Sequence, residues 1–248
     1  MAVTEAVLRE LREGLCTLTL NRPEKLNALN YDVFRALSDH IDYILGSAKD
    51  IGCVVITGAG RSFCAGNDLS DLGGVFEGGD GSHFRSTTVE RLASLPMPVI
   101  ASVKGHCLTG GLELALAADI IFAGESAKFG DTHGKWDLVP VWGLSQRLPR
   151  RIGRAKALEM SFSARNYSGR EAAQMGLANI CVPDAELDTA VANFAKEVLA
   201  NSWRSSRAIK KLVDETEGLP LKAGLAHEMH RSEGRGPETA ERLARLRK

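Results

Sequence analysis

No sign of charge dominates this chain: its 248 residues carry 31 Lys and Arg against 31 Asp and Glu. Without a basic excess, nucleic acid and anionic membrane surfaces are not indicated as partners, and any anionic ligand has to be met by a local patch. Cysteine offers no ligand set either. Cys16, Cys53, Cys64, Cys107 and Cys181 fall in no CxxC or Cys/His spacing, which argues against a structural metal and suits a reduced, cytoplasmic protein. No apolar run approaches the roughly 18 residues of a membrane span. Residues 1–12 carry neither the apolar centre of a signal peptide nor the Arg/Ser-rich composition of a transit sequence. Neither a P-loop nor a GxGxxG fingerprint occurs, so ATP and dinucleotide sites of those kinds are not indicated.

The length suits one sizeable α/β core with an appended helical part, here expected at 1–195 and 196–248. Residues Ala6 to Leu11 and Leu15 to Leu20 alternate about the turn Glu13-Gly14 and read as an opening hairpin, ended by Pro23. Apolar residues at 33, 34, 37, 41, 44 and 45 predict a helix over Tyr31 to Leu45 with Asn30 as its N-cap. Strands follow at Cys53 to Ile56, Val99 to Val103 and Ile120 to Ala123, with a helix from Gly111 between the last two. That alternation predicts a parallel sheet with right-handed crossovers. The glycine-rich stretch Gly73 to Ser82 reads as a loop. Beyond Asn166 helices are expected at Gly169 to Met175, Asp184 to Ala200, Ser202 to Glu215, Leu221 to Arg231 and Pro237 to Arg247.

Two glycine-containing turns, Phe63-Cys64-Ala65-Gly66-Asn67-Asp68-Leu69 and Leu108-Thr109-Gly110-Gly111-Leu112-Glu113, each follow an apolar strand. Backbone N–H groups in such turns have no helical or ladder partner and are free to point at developing negative charge. Glu113, three residues after Gly110, projects toward the same side of its helix. Among Leu112, Leu114 and Leu116 its carboxyl is expected to be desolvated and to exchange protons near neutrality; on pattern alone it also reads as a capping-box glutamate.

These turns, together with Arg22-Pro23-Glu24-Lys25-Leu26-Asn27-Ala28-Leu29-Asn30 and the segment from Asp119 to Gly130, resemble the crotonase superfamily of enoyl-CoA hydratases and isomerases. The likeness runs in order from about Leu15 to Val182. It implies an α/β superhelical spiral of strand-strand-helix repeats, with C-terminal helices that cover the site and build trimers or dimers of trimers. It implies an acyl-CoA thioester as substrate, with coenzyme A as part of that substrate and no permanently bound cofactor. Ala65 and Gly110 match the two oxyanion N–H donors, and Glu113 matches one of two catalytic glutamates. The chain departs from the pattern twice: Thr109 stands where a third glycine is usual, and His133 aligns with the second glutamate.

Hydration of a 2-enoyl-CoA to a 3-hydroxyacyl-CoA is therefore expected to use Glu113 with His133 as the acid/base pair. Asp137, four residues beyond His133, would orient the imidazole if the segment is helical, as in a His–Asp relay for hydrolysis; the alternative is a solvent-facing loop carboxylate. Trp136 and Trp142 are candidate walls of an acyl pocket, or core or interface residues. His83 and His106 carry no motif and read as structural. For the coenzyme, the resemblance implies Lys25, Leu26, Ala65, Gly66, Asn67, Asp68, Leu69 and Gly110, with Lys210 and Lys211 toward the nucleotide phosphates. Competing expectations are another crotonase reaction, such as thioester or β-diketone hydrolysis or isomerisation, and an acyl-CoA-binding protein without turnover.

Overall fold

The computed structural model describes residues 5–71 and 81–245. The predicted loop Gly73 to Ser82 therefore lies almost wholly outside the described residues. The opening hairpin pairs β1 (Val7–Arg12) with β2 (Leu15–Leu20), and α1 (Tyr31–Gly46) leads to β3 (Cys53–Gly58). Asn30 caps α1 as expected, its side-chain oxygen accepting from Val33 N–H at 3.1 Å. The chain continues through α2 (Gly81–Ala93), β4 (Val99–Val103), β5 (His106–Leu108), α3 (Gly110–Ala115), β6 (Ile120–Gly124) and β7 (Lys128–Gly130). Then come α4 (Leu144–Ile152), α5 (Arg154–Ser163), β8 (Tyr167–Ser168), α6 (Gly169–Gln174), β9 (Ile180–Val182) and α7 (Leu187–Ala200). The C-terminal arm is α8 (Trp203–Thr216), α9 (Leu221–Arg231) and α10 (Thr239–Arg245).

Among the described residues, one sheet has the order β1-β2-β3-β4-β6-β9, antiparallel between β1 and β2 and parallel thereafter. A second has the order β5-β7-β8. Isolated bridges Leu29↔Asn67 and Cys64↔Cys107 extend that second layer toward the N-terminal part of the chain. Each repeat places one strand in the first sheet, steps down to a short strand or bridge in the second, and returns through a helix, giving the crotonase-like spiral that the resemblance implied. The central strands β3 and β4 are almost entirely buried, as expected of parallel strands covered on both faces. Sequence patterning did not single out α4 and α5; Pro149 inside α4 and Gly153 at its end are helix-breaking signals that packing overrides. No helix among the described residues is long and apolar enough to cross a membrane.

The step between sheets brings the two glycine turns together. Cys64 N–H donates to His106 C=O at 2.8 Å, and Leu108 N–H donates to Cys64 C=O at 3.1 Å. At this crossing a Cβ on Gly111 would stand 2.5 Å from Cys64 O and 2.9 Å from Cys64 Cβ. Gly111→Ala is accordingly expected to destabilise the fold by about 1–3 kcal/mol through overpacking, measured as a lower midpoint in urea; an unchanged midpoint would contradict the contact.

Candidate active site

The first turn does not present its donors as the sequence suggested. Ala65 N–H is already committed, donating to Leu26 C=O at 3.0 Å. The N–H that this turn leaves open is two residues on, at Asn67. Leu29 N–H bonds Gly66 C=O at 2.8 Å and Asp68 N–H bonds Leu29 C=O at 2.9 Å, so the peptide N–H between them faces away from residue 29. Among the described residues the Asn67 N–H has no acceptor. Nor has Gly110 N–H, at the first position of α3, where no intrahelical acceptor exists. The two turns touch: a Cβ on Gly66, at φ 108, would lie 3.5 Å from Thr109 Cβ and 3.8 Å from Gly110 N. Only glycine suits that φ at so close an approach.

Thr109 is the residue that replaces a glycine in this turn. Its backbone, at φ 53 and ψ −113, lies near the first central position of a type II′ turn, about +60° and −120°. A β-branched residue there costs about 1–3 kcal/mol. Its hydroxyl makes a 2.5 Å hydrogen bond with the Thr132 hydroxyl and accepts from Thr132 N–H at 3.3 Å.

Glu113 is 1 % exposed. Its Oε1 accepts from the N–H groups of Trp142 at 2.8 Å and Leu144 at 3.3 Å, so it serves the loop before α4 and is not a capping-box residue of its own helix. Burial pushes its carboxyl above the usual range, against the pull of those two bonds and of His133. Oε2 stands 3.8 Å from His133 Nε2. His133, buried at 7 % exposure, donates or accepts through Nδ1 at 2.6 Å from Asp131 Oδ1, which also accepts from His133 N–H at 3.1 Å. Burial raises the Asp131 carboxyl, but hydrogen bonds from the imidazole, Ser161 and the His133 N–H outweigh it and leave the group below its ordinary value. With Asp131 ionised, the Nδ1-protonated tautomer is the one that satisfies both partners.

Asp137 does not take the orienting role suggested for it. Residues His133–Trp136 form a single 3-10 turn, and Asp137 ends it at φ 54 with its side chain exposed. The carboxylate on the imidazole is Asp131, two residues upstream; the chain turns at Thr132, φ −105 and ψ 13, and Asp131 Oδ1 bonds both the His133 N–H and its ring in an Asx-type turn.

A cleft of about 400 Å³ opens over the turns, lined by Ala65, Asn67, Asp68, Leu69, Thr109 and Trp136, with Ala28, Leu108, Thr132, Lys135 and Leu138 completing it. Asp68 is held by Arg22 at 2.9 Å, and Ser70 donates to its other oxygen. Lys25 is exposed and Leu26 carries the carbonyl behind Ala65. Lys135, at the cleft, was not singled out by the sequence. Trp142 is buried against Gly110, where a Cβ would meet its ring at 2.5 Å, and Trp136 is largely exposed. Lys210 is a correction: its Nζ bonds Asp119 Oδ2 at 2.8 Å and Met97 C=O at 3.4 Å, so its charge is consumed inside the protein, pinning α8 to the sheet. Lys211 is exposed, 3.9 Å from Glu215. His106 shares a hydrogen bond with Ser62 Oγ at 3.0 Å. Burial pushes the Cys64 thiol up to about 12, which leaves it protonated and unreactive between the turns.

Two free N–H groups beside a buried carboxyl–imidazole pair, on a spiral of this kind, define an enzyme of the crotonase class. The family model described as enoyl-CoA hydratase/isomerase matches residues 10–235, and the chain belongs to that family. Among its relatives, a probable peroxisomal enoyl-CoA hydratase 1 of Arabidopsis thaliana is 34% identical over 90% of this chain and 84% of its own. The 1,2-epoxyphenylacetyl-CoA isomerase of Escherichia coli strain K12 is also 34% identical, over 96% of this chain and 93% of its own. Among solved structures, an enoyl-CoA hydratase from Bacillus anthracis superposes with a TM-score of 0.91 at 30% identity, covering 98% of this chain and 96% of that one.

The raised Glu113 carboxyl has a consequence for stability. A carboxyl whose folded-state value exceeds its unfolded one stabilises the fold at acid pH and loses that contribution as pH rises through the folded value. The melting temperature of Glu113→Gln is thus expected to gain on wild type from acid toward neutral pH. A constant difference across that range would contradict the assignment.

Proposed function

We propose that this enzyme adds water to a 2-enoyl-CoA thioester, giving a 3-hydroxyacyl-CoA. The observation that carries the reading is the 3.8 Å pairing of Glu113 Oε2 with His133 Nε2 beside two unpartnered backbone N–H groups. Asn67 and Gly110 form the oxyanion hole: their N–H groups meet the thioester oxygen and stabilise the enolate as charge moves onto it. Two groups 3.8 Å apart both reach one water oxygen at about 2.8 Å. His133, held as the Nδ1-protonated tautomer by Asp131, presents the Nε2 lone pair and takes a proton from that water as its oxygen bonds the β-carbon. Glu113, whose carboxyl burial pushes above its ordinary value, gives a proton to the α-carbon as the enolate collapses. The imidazolium and carboxylate left behind stand side by side, and one proton transfer between them restores the starting state.

Coenzyme A enters as part of the substrate, along the cleft between Ala65 to Leu69 and Trp136, with Lys135 as the cation at hand for its anionic portion. A cavity of about 530 Å³ beside His133, walled by Leu138, Val139, Leu144, Leu148 and Phe162, offers the acyl chain apolar surface. The exposed apolar side chains of α8 and α9, Ile209, Val213, Leu221, Leu225 and Met229, support self-association through the C-terminal arm, in the trimer or dimer of trimers that the resemblance implies. A second reading, isomerisation of the acyl group, is favoured by the near end-to-end match to the Escherichia coli isomerase.

The test is turnover of crotonyl-CoA and of a branched and an aromatic enoyl-CoA, with products identified by mass. Wild type is expected to give the hydrated thioester, and Glu113→Gln and His133→Ala to lower kcat by about 10²–10⁴-fold. Asp131→Asn, whose amide donates to Nδ1 and places the proton on Nε2, is expected to lower kcat while leaving KM near wild type. An isomer of unchanged mass would transfer the assignment to the second reading, release of free CoA would assign hydrolysis, and saturable binding without turnover would leave a binding protein.

A further inference from the structure

Thr109 occupies a backbone conformation suited to glycine, yet its side chain is buried and engaged. Two independent sets of bonds meet at this residue. Through the main chain, its N–H donates to Gly130 C=O at 2.8 Å, tying the turn before α3 to the end of β7. Through the side chain, Oγ1 bonds the Thr132 hydroxyl at 2.5 Å and accepts from Thr132 N–H at 3.3 Å. Thr132 immediately precedes His133 and caps the short turn that carries it, while Gly110 immediately follows Thr109. A single side chain thus links the backbone on either side of the site. Glycine at 109 would relax the turn but leave the Thr132 N–H and hydroxyl without this partner.

We propose that Thr109 is a positioning residue whose hydroxyl holds the His133 segment in register with the Gly110 N–H, and that the strained backbone is retained for this link. The role of the register in turnover rests on the enoyl-CoA reading; the link itself does not. A looser register acts on the bound reacting atoms, where misplacement by about 1 Å costs roughly 10²-fold in rate. Its signature is a loss of kcat with little change in KM.

The experiment compares wild type with Thr109→Ser, Thr109→Gly and Thr109→Val by kcat and KM on crotonyl-CoA, by melting temperature, and by hydrogen exchange across residues 131–138. Thr109→Ser keeps both side-chain bonds and is expected to match wild type in kcat and exchange. Thr109→Gly is expected to melt at the wild-type temperature or about 2–4 °C above it, to exchange faster across 131–138, and to lose about tenfold or more in kcat at near-constant KM. Thr109→Val retains the strain and bulk without the hydroxyl, and is expected to lose both kcat and melting temperature. Wild-type kcat and exchange in Thr109→Gly would overturn the proposal, as would a Thr109→Ser that behaves like the glycine variant. Wild type inactive on every enoyl-CoA would overturn the hydratase reading alone, since the exchange comparison still decides whether the link exists.

Discussion

The close crossing of two backbone turns is the constraint from which the rest of this site follows. Where Cys64 and Cys107 pair, the chain has room for no side chain at Gly66 or Gly111, and the peptide groups beyond them are pressed into one small region. Two N–H groups with no acceptor of their own then stand beside each other because the sheets hold them there, before any ligand arrives. Donors fixed in advance in this way need no rearrangement to meet an acceptor. The cysteines serve as small, inert spacers, their thiols kept protonated by burial.

Behind the crossing, Asp131, His133 and Glu113 form a row in which each group sets the state of the next. Asp131, receiving bonds from Ser161 and from the imidazole, holds the negative charge of the row. That charge fixes which ring nitrogen faces Glu113, and desolvation raises the Glu113 carboxyl above its ordinary value. A second buried carboxylate in place of His133 would repel Glu113 and share its proton with it. An imidazole backed by Asp131 stands beside Glu113 in place of that second carboxylate and avoids the repulsion.

Local signals in the sequence carried much of this. The hairpin alternation, the β-branched parallel strands and the Asn30 cap depend on neighbours a few residues away, and each stands where propensity puts it. What was illegible depends on distant pairing. Whether Ala65 or Asn67 offers its N–H is decided by the register against Leu26 and Leu29, which no property of residues 63–69 announces. Asp131 escaped notice because it reaches His133 through an Asx-type turn at Thr132, a contact from two residues upstream that helical spacing does not reveal. Lys210 looked like a free cation on an amphipathic helix; its partner, Asp119, is remote in sequence. Helix α4 hid behind Pro149, a breaker that tertiary packing tolerates.

The glycines at 14 and 52 leave a notch at the start of the first sheet, and Trp203 fills it, so near that a Cβ on either glycine would collide with the indole. Arg207 reinforces the seam by bonding the carbonyls of Ala48 and Ile51. The opening hairpin is therefore completed by α8, across some 150 residues of intervening chain. Contacts of such sequence separation carry a loop-closure cost that local contacts do not. During synthesis the apolar edge of the hairpin stays uncovered until the C-terminal arm leaves the ribosome, and a nascent chain stalled before residue 203 has an open seam where the finished protein has a closed one.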